Sequence, residues 1–272
     1  MKVPFVKMHG NGNDFVIVDN TKLQIEYNKK IIERLSNRKT GIGCDQFIFL
    51  ENSKDFDIFM KIFNANGEEA EMCGNAARCV ASLIIAGNNK KIVKIETISI
   101  TLIGQLEKDN KISISLNIPE QNLDEIIDKK HVKENKINFS FVSPLLKEGI
   151  VVNMGNPHVV FFIEDLSNIE LEKLGPAIEK NSIFKNGANV EFVEVKSNDV
   201  IKIKFWERGA GITLSCGSGI LAAFYAGHTE KKCSSSVKVL LPIGSVDVNI
   251  KNKAITLSGV PEISFLGEFS YE

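Results

Sequence analysis

The sequence has no Cys-x-x-Cys pair, no run of 18 or more apolar residues and no surplus of charge of either sign. A membrane-crossing helix needs about 20 consecutive apolar residues, so no membrane span is expected. Thirty-three basic residues stand against 34 acidic ones, a net charge of −1, so no basic face for nucleic acid is expected. The opening MKVPFVKMHGNGND lacks the apolar stretch of a signal peptide. The cysteines number five, which is odd, and Cys73 and Cys79 are spaced unlike a zinc knuckle. The expectation is a cytoplasmic protein with reduced thiols and no metal. The most charged stretch, residues 128–136, mixes both signs and reads as solvated surface. What the chain does have is apolar material, 43% of its 272 residues, enough for a core in each of two domains of ordinary size.

A faint repeat organises the chain. At an offset of 143 residues, Gly12-Asn13 falls on Gly155-Asn156, Gln46 on Asn189, Asn64 on Glu207 and Cys73-Gly74 on Cys216-Gly217. Apolar stretches follow in both copies, as at 16–18 and 159–161. Four polar or reactive positions that keep one register imply two copies of one fold. The halves are expected at 1–118 and 119–263, with the tail 264–272 packing against the first half and a junction at Pro119.

Each half reads as short strands plus one well-defined helix, giving an α+β fold. Residues 111–118 alternate polar and apolar, as a half-buried strand does; Asp109-Asn110 supplies a turn before it, and 254–257 repeats the pattern. The runs 47–50 and 159–163 read as buried strands. Residues 75–86 and 218–226 are helix formers that are apolar nearly all round, the mark of a helix enclosed by other structure. The spacing predicts two further helices over 28–37 and 170–180, the second carrying Gly175-Pro176, which opposes a helix. The implied architecture is a curved, mainly antiparallel sheet around a central helix, built twice.

Cys73 and Cys216 each precede such a helix and are each followed by glycine. The first N–H groups of a helix lack internal partners, and its dipole is positive there. A thiolate is stabilised at that place, which predicts a lowered thiol pKa. The same N–H groups can hold a carboxylate. Two such thiols facing one carbon could remove a proton from one side and return one to the other, inverting the centre. The other cysteines, Cys79, Cys44 and Cys233, read as core. His158 reads equally as a structural histidine or as a group that tunes a thiol. Glu207-Arg208 reads as a surface pair, or as an Arg fork for a second carboxylate with the Glu near a thiol or an ammonium.

The strings HGNGNDFVIVD (9–19), GIGCDQ (41–46), FNANGEEAEMCGNAARC (63–79), MGNPHVVFF (154–162), GANVEF (187–192) and WERGAGITLSCGSG (206–219) resemble those of the diaminopimelate epimerase family. The resemblance spans nearly the whole chain. It implies two similar α+β halves that share an active site in the cleft between them, and interconversion of LL- and meso-2,6-diaminopimelate on the route to lysine and peptidoglycan precursors. It implies no cofactor, neither pyridoxal phosphate nor metal, and a cytoplasmic homodimer. By the same resemblance, Cys73 and Cys216 are the acid/base thiols, and His158 and Glu207 adjust their pKa values. Asn13, Gln46, Asn64, Gly74, Asn75, Asn156, Asn189, Glu207, Arg208, Gly217 and Ser218 would bind substrate. The chain departs from the family pattern at Ala76, Ile212 and Ser218, where Gly, Glu and Thr are common.

Three other readings use the same residues. Proline racemases share the two-thiol logic but need nothing for a distal amino-acid group, whereas Asn64, Asn156, Asn189 and Arg208 suit a substrate with two charged ends. A cysteine hydrolase would pair one Cys with His158 and an Asn, leaving the second Cys-Gly idle. A dithiol redox protein would join the two thiols instead.

Overall fold

The computed structural model describes residues 1–128 and 134–271, so the surface reading of 128–136 falls largely outside the described residues. The chain divides into two units, Met1–Leu116 with Ser258–Glu272, and Asn117–Leu257.

In the first unit the elements run β1 (Lys2–Gly10), β2 (Asn13–Asp19), α1 (Lys29–Ser36), β3 (Gln46–Glu51), β4 (Ile58–Asn64), β5 (Glu69–Ala70), α2 (Gly74–Asn88), β6 (Ile92–Glu96), β7 (Thr101–Leu106) and β8 (Ile112–Asn117). In the second they run β9 (Lys136–Ile137), β10 (Gly149–Asn153), β11 (Pro157–Phe162), α3 (Leu171–Glu179), β12 (Asn189–Ser197), β13 (Val200–Glu207), β14 (Gly211–Thr213), α4 (Gly217–Thr229), β15 (Ser236–Leu240), β16 (Ser245–Lys251) and β17 (Ala254–Gly259). The last strand, β18 (Glu262–Ser270), pairs antiparallel with β1. That pairing carries 258–263, which the repeat assigns to the second half, into the first unit.

Within each unit the pairings follow one scheme. An antiparallel hairpin (β1–β2; β10–β11) joins a parallel neighbour (β3; β12), then an antiparallel one (β4; β13). A second parallel step (β6; β15) leads into another hairpin (β7; β16). The register repeats as well. Phe15 pairs with Gln46 as His158 pairs with Asn189, and Phe47 pairs with Phe63 as Val190 pairs with Trp206. Both first hairpins turn on a left-handed glycine, Gly12 at φ 87° and Gly155 at φ 89°, a conformation that a Cβ would oppose.

The helices α2 and α4 lie within these sheets. Helix α2 packs against β1, β2, β6 and β7, and α4 against β10 to β13. Small side chains allow the approach: Ala76, Ala77 and Ala81 on α2, and Ala222, Ala223 and Ala226 on α4, are wholly buried. Helix α1 is capped by the Asn28 side chain, which accepts from the Ile31 N–H at 3.1 Å. Helix α3 forms despite Pro176 in its interior, because Leu171, Leu174 and Ile178 bury its inner face and that burial outweighs the missing backbone bond. No helix among the described residues is long and apolar enough to cross a membrane.

Candidate active site

Each of the two cysteines is a helix N-cap. Cys73 (φ −145°, ψ 110°) and Cys216 (φ −123°, ψ 113°) adopt extended backbone before α2 and α4. Their sulfurs accept from the Ala76 N–H at 3.5 Å and the Gly219 N–H at 3.4 Å. Sulfur thus occupies the place in which a Ser or Asp oxygen commonly satisfies an orphan helix donor.

The first half-site gathers on the β1–β2 turn. Asn13 Oδ1 accepts from the Asn75 amide at 3.2 Å and from the Cys73 thiol at 3.8 Å, while Asn13 Nδ2 donates to Asp45 at 3.0 Å. Asp45 and Asp14 share Arg38, which holds Asp14 through both terminal nitrogens. Lys7, nearly buried, donates to Asp14 at 2.6 Å and to the Gly43 carbonyl. Next in the sheet, Gln46 Nε2 donates to Asn64 Oδ1 at 3.0 Å. The Gln46 Oε1 atom is buried with no hydrogen-bond partner among the described residues, an open acceptor for a ligand N–H. A Cβ placed on Gly74 would meet nothing within 4 Å.

The second half-site is more enclosed. His158 is wholly buried between two acceptors, Glu191 Oε1 at 2.8 Å from Nδ1 and Asn156 Oδ1 at 2.8 Å from Nε2. Asn156 donates onward to Ser218 Oγ at 3.3 Å, and Ser218 lies 3.6 Å from Cys216 Sγ. A continuous polar chain therefore runs from Glu191 to Cys216. Glu207 accepts from Thr213 Oγ1, and its carboxyl is close enough to Cys216 to act on the thiol electrostatically. Asn189 Oδ1 accepts from the Arg208 backbone N–H at 2.9 Å, fixing the loop that carries Arg208. The guanidinium is exposed and reaches the Asn186 carbonyl at 3.3 Å. Gly219 admits Glu191 to the helix end, since a Cβ there would lie 2.6 Å from Glu191 Oε1.

The electrostatics correct one expectation. Position at a helix start predicts an acidic thiol, yet Cys216 is raised well above the ordinary thiol value. Burial is the largest cause; the carboxylates of Glu207 and Glu191 add to it, and the Ser218 and Gly219 bonds oppose it more weakly. Only 6% of Cys216 is exposed, so desolvation outweighs the helix dipole. Burial likewise raises the carboxyls of Glu191 and Glu207. Burial also pushes the Cys79 thiol up to about 12, which agrees with its place on the buried face of α2.

Within the first unit the structure thus links Asn13, Cys73 and Asn75, and separately Gln46 with Asn64. In the second it links Asn156, His158, Ser218, Cys216 and Glu207, and joins Asn189 to the backbone of Arg208. Sequence reasoning missed Glu191. The signal for Glu191 was present: it interrupts the apolar stretch 190–193, and a charge inside a buried strand requires a partner.

A family model described as Diaminopimelate epimerase matches residues 5–117 and 150–263. The chain belongs to the diaminopimelate epimerase family. A diaminopimelate epimerase of Carboxydothermus hydrogenoformans is 40% identical over 276 aligned residues, covering 97% of this chain and 98% of that one. Among solved structures, a protein of Pseudomonas aeruginosa titled a predicted epimerase superposes with a TM-score of 0.72 at 14% identity, covering 99% and 100% of the two chains. A hydroxyproline epimerase of Agrobacterium vitis gives 0.69 at 11% identity, covering 98% and 91%. The fold is therefore the α+β fold of this family, two similar halves each enclosing a helix, and the same scaffold occurs in proteins far apart in sequence.

Proposed function

We propose that this chain epimerises LL-2,6-diaminopimelate to the meso isomer without pyridoxal phosphate or metal, supplying precursors of lysine and peptidoglycan in the cytoplasm. The observation that carries this reading is the paired placement of Cys73 and Cys216 as N-caps of two equivalent buried helices, in a chain so similar along its length to a diaminopimelate epimerase.

In the proposed step, the two thiols act in turn on one substrate carbon. A thiolate takes the α-proton, leaving a carbanion whose charge spreads into the neighbouring carboxylate. The other thiol gives its proton to the opposite face. Atoms and charge balance, because one thiolate has become a thiol and one thiol a thiolate. The helix N–H groups after Gly74-Asn75 and Gly217-Ser218 stabilise the carboxylate as it gains charge. Burial and two nearby carboxyls favour Cys216 as the initially protonated partner. Glu207 and His158 set that preference, His158 through Asn156 and Ser218. Asn13 orients Cys73. The distal amino-acid head takes Asn64, Asn156, Asn189 and Arg208, whose planar fork suits a carboxylate, and the open Gln46 oxygen suits an ammonium.

The test is incubation of the reduced protein with LL-diaminopimelate in D₂O, following stereochemistry and α-deuterium. Meso product with deuterium at the inverted centre is expected, and either Cys→Ala change should remove nearly all of it. Turnover of L-proline with none of diaminopimelate would overturn the substrate assignment.

We further propose a homodimer. Ile263, Phe265 and Leu266 on β18 are 56%, 49% and 71% exposed, a run of large apolar side chains that a second copy would cover. Sedimentation equilibrium giving a monomer at micromolar concentration would refute it.

A further inference from the structure

Arg78 on α2 is the largest wholly buried side chain in the protein's described residues. A guanidinium does not lose its proton in proteins, so a full positive charge is enclosed here. Among the described residues one hydrogen bond serves it, from Nη2 to Asn11 Oδ1 at 3.1 Å. The Nε and Nη1 groups are buried with no acceptor among the described residues. Such a charge is costly unless a negative one compensates it.

The surroundings indicate where compensation comes from. Side chains on a helix lean toward its N-terminus, and Arg78 lies five residues beyond the N-cap Cys73. The guanidinium rests on the β1–β2 turn: Nη2 would be 2.9 Å from a Cβ on Gly10, a point also 3.5 Å from the Asn75 Cβ. The same turn touches the Cys73 sulfur through Asn13. Burial works against the charge on Arg78, and Cys79 and Cys73 are the ionisable groups whose negative forms would favour it. Of these, Cys79 is held as a thiol by its own burial.

The second unit has no counterpart. The position equivalent to Arg78 is Leu221, while Glu191 and Glu207 stand at positions equivalent to Ile48 and Asn64. The two half-sites therefore share a scaffold and carry opposite buried charge.

We propose that Arg78 is a positioning residue that acts through Cys73: it is the internal counter-cation that makes Cys73 the more acidic of the two thiols and so the one that starts as thiolate. The inference rests on the two-thiol reading above but is tested apart from turnover. Other charged groups on elements packed against α2 are Lys2, Lys7 and His9 on β1, Asp14 and Asp19 on β2, and Lys94 and Glu96 on β6. Lys7 is bound to Asp14, His9 lies 3.8 Å from Glu262, and Glu96 accepts from Ser53. The Asn13 carbonyl opposes the thiolate and accepts from the protonated form.

The experiment is the pH dependence of iodoacetamide alkylation, read by mass spectrometry, at Cys73 in Cys216→Ala and at Cys216 in Cys73→Ala. The Cys73 midpoint should lie at least one pH unit below that of Cys216; equal or reversed midpoints would overturn the proposal. Adding Arg78→Met should raise the Cys73 midpoint by about one unit or more, and Arg78→Lys should restore most of it. An unchanged midpoint in folded Arg78→Met would overturn the proposal. If that variant fails to fold, Arg78→Gln, which removes the charge but keeps a polar side chain, takes its place, and an unchanged Cys73 midpoint in it would overturn the proposal. Absence of epimerisation with the expected midpoints would refute the proposed function and leave the role of Arg78 standing.

Discussion

Replacing Glu191 separates its charge from its shape. Glu191 is 1% exposed, and one carboxylate oxygen meets His158 Nδ1 at 2.8 Å while the other has no partner among the described residues. In Glu191→Gln the amide oxygen can still accept from His158, and the NH₂ replaces an oxygen that was already unpaired. The loss is then the difference between a charge-assisted bond and a neutral one, about 1 kcal/mol. Glu191→Ala removes the acceptor, leaves His158 buried without it and opens a cavity, costing roughly 3–5 kcal/mol. Both changes also remove a negative charge that raises Cys216. The Cys216 alkylation midpoint should therefore fall in the Gln variant although its stability is almost retained. Urea unfolding at pH 7 and alkylation across pH 7–10 in a Cys73→Ala background measure the two effects. If Gln and Ala cost the same stability, or the Gln variant leaves the Cys216 midpoint unmoved, Glu191 neither pairs with His158 nor acts on the thiol.

Gly219→Ala should destabilise by about 1–3 kcal/mol and slow turnover, because its methyl would sit 2.6 Å from Glu191 Oε1 and 3.3 Å from the Cys216 Cβ; thermal unfolding and a rate measurement check both. For Asp14, burial is the largest influence and raises the carboxyl, but the bonds from Arg38 and Lys7 together bring it down to about 2. A carboxyl depressed in the folded state contributes stability above its unfolded value near 3.9 that is lost as the pH falls toward 2. The urea midpoint should therefore drop between pH 4 and 2, with a shallower slope in Asp14→Asn. Burial raises Cys79 to about 12 and Cys233 to about 11. A thiol raised in the folded state contributes stability that is complete below its unfolded value and is lost as the pH rises through the folded one. Stability should fall from about pH 9 upward, less steeply in Cys79→Ala.

The repeat made the fold legible. A single offset predicted that the polar positions 13, 46, 64 and 73 recur, and the strand registers Phe15–Gln46 and His158–Asn189 are its physical basis. The central helices were visible because their apolar faces leave no side for water; they begin one residue earlier and end two or three residues later than their composition suggests. Other features had no local signal. Strand β1 pairs on its second edge with β18, some 260 residues away. Helix α3 accepts Pro176 because of what it packs on. The pKa of Cys216 could not be read from its place before a helix, since its burial and its carboxylate neighbours come from β12 and β13, which the sequence alone did not bring to the sulfur.

The differences between the copies carry more of the chemistry than the likeness does. Inversion by two bases, the proposed chemistry, needs two thiols that are alike in frame and an asymmetric field, so that one begins with the proton. The frame is supplied by matched strands, N-caps and left-handed glycines. The field is supplied at positions where the copies disagree: Phe15 against His158, Ile48 against Glu191, Asn64 against Glu207 and Arg78 against Leu221. Exchanging charge at one such position should shift which thiol is more acidic without disturbing the sheets. Leu221→Met, which introduces no charge, should leave both alkylation midpoints where they are, whereas Glu191→Gln and Arg78→Met should bring them together from opposite sides. If the neutral change at Leu221 moved the midpoints as far as the charged ones, packing rather than buried charge would set the asymmetry.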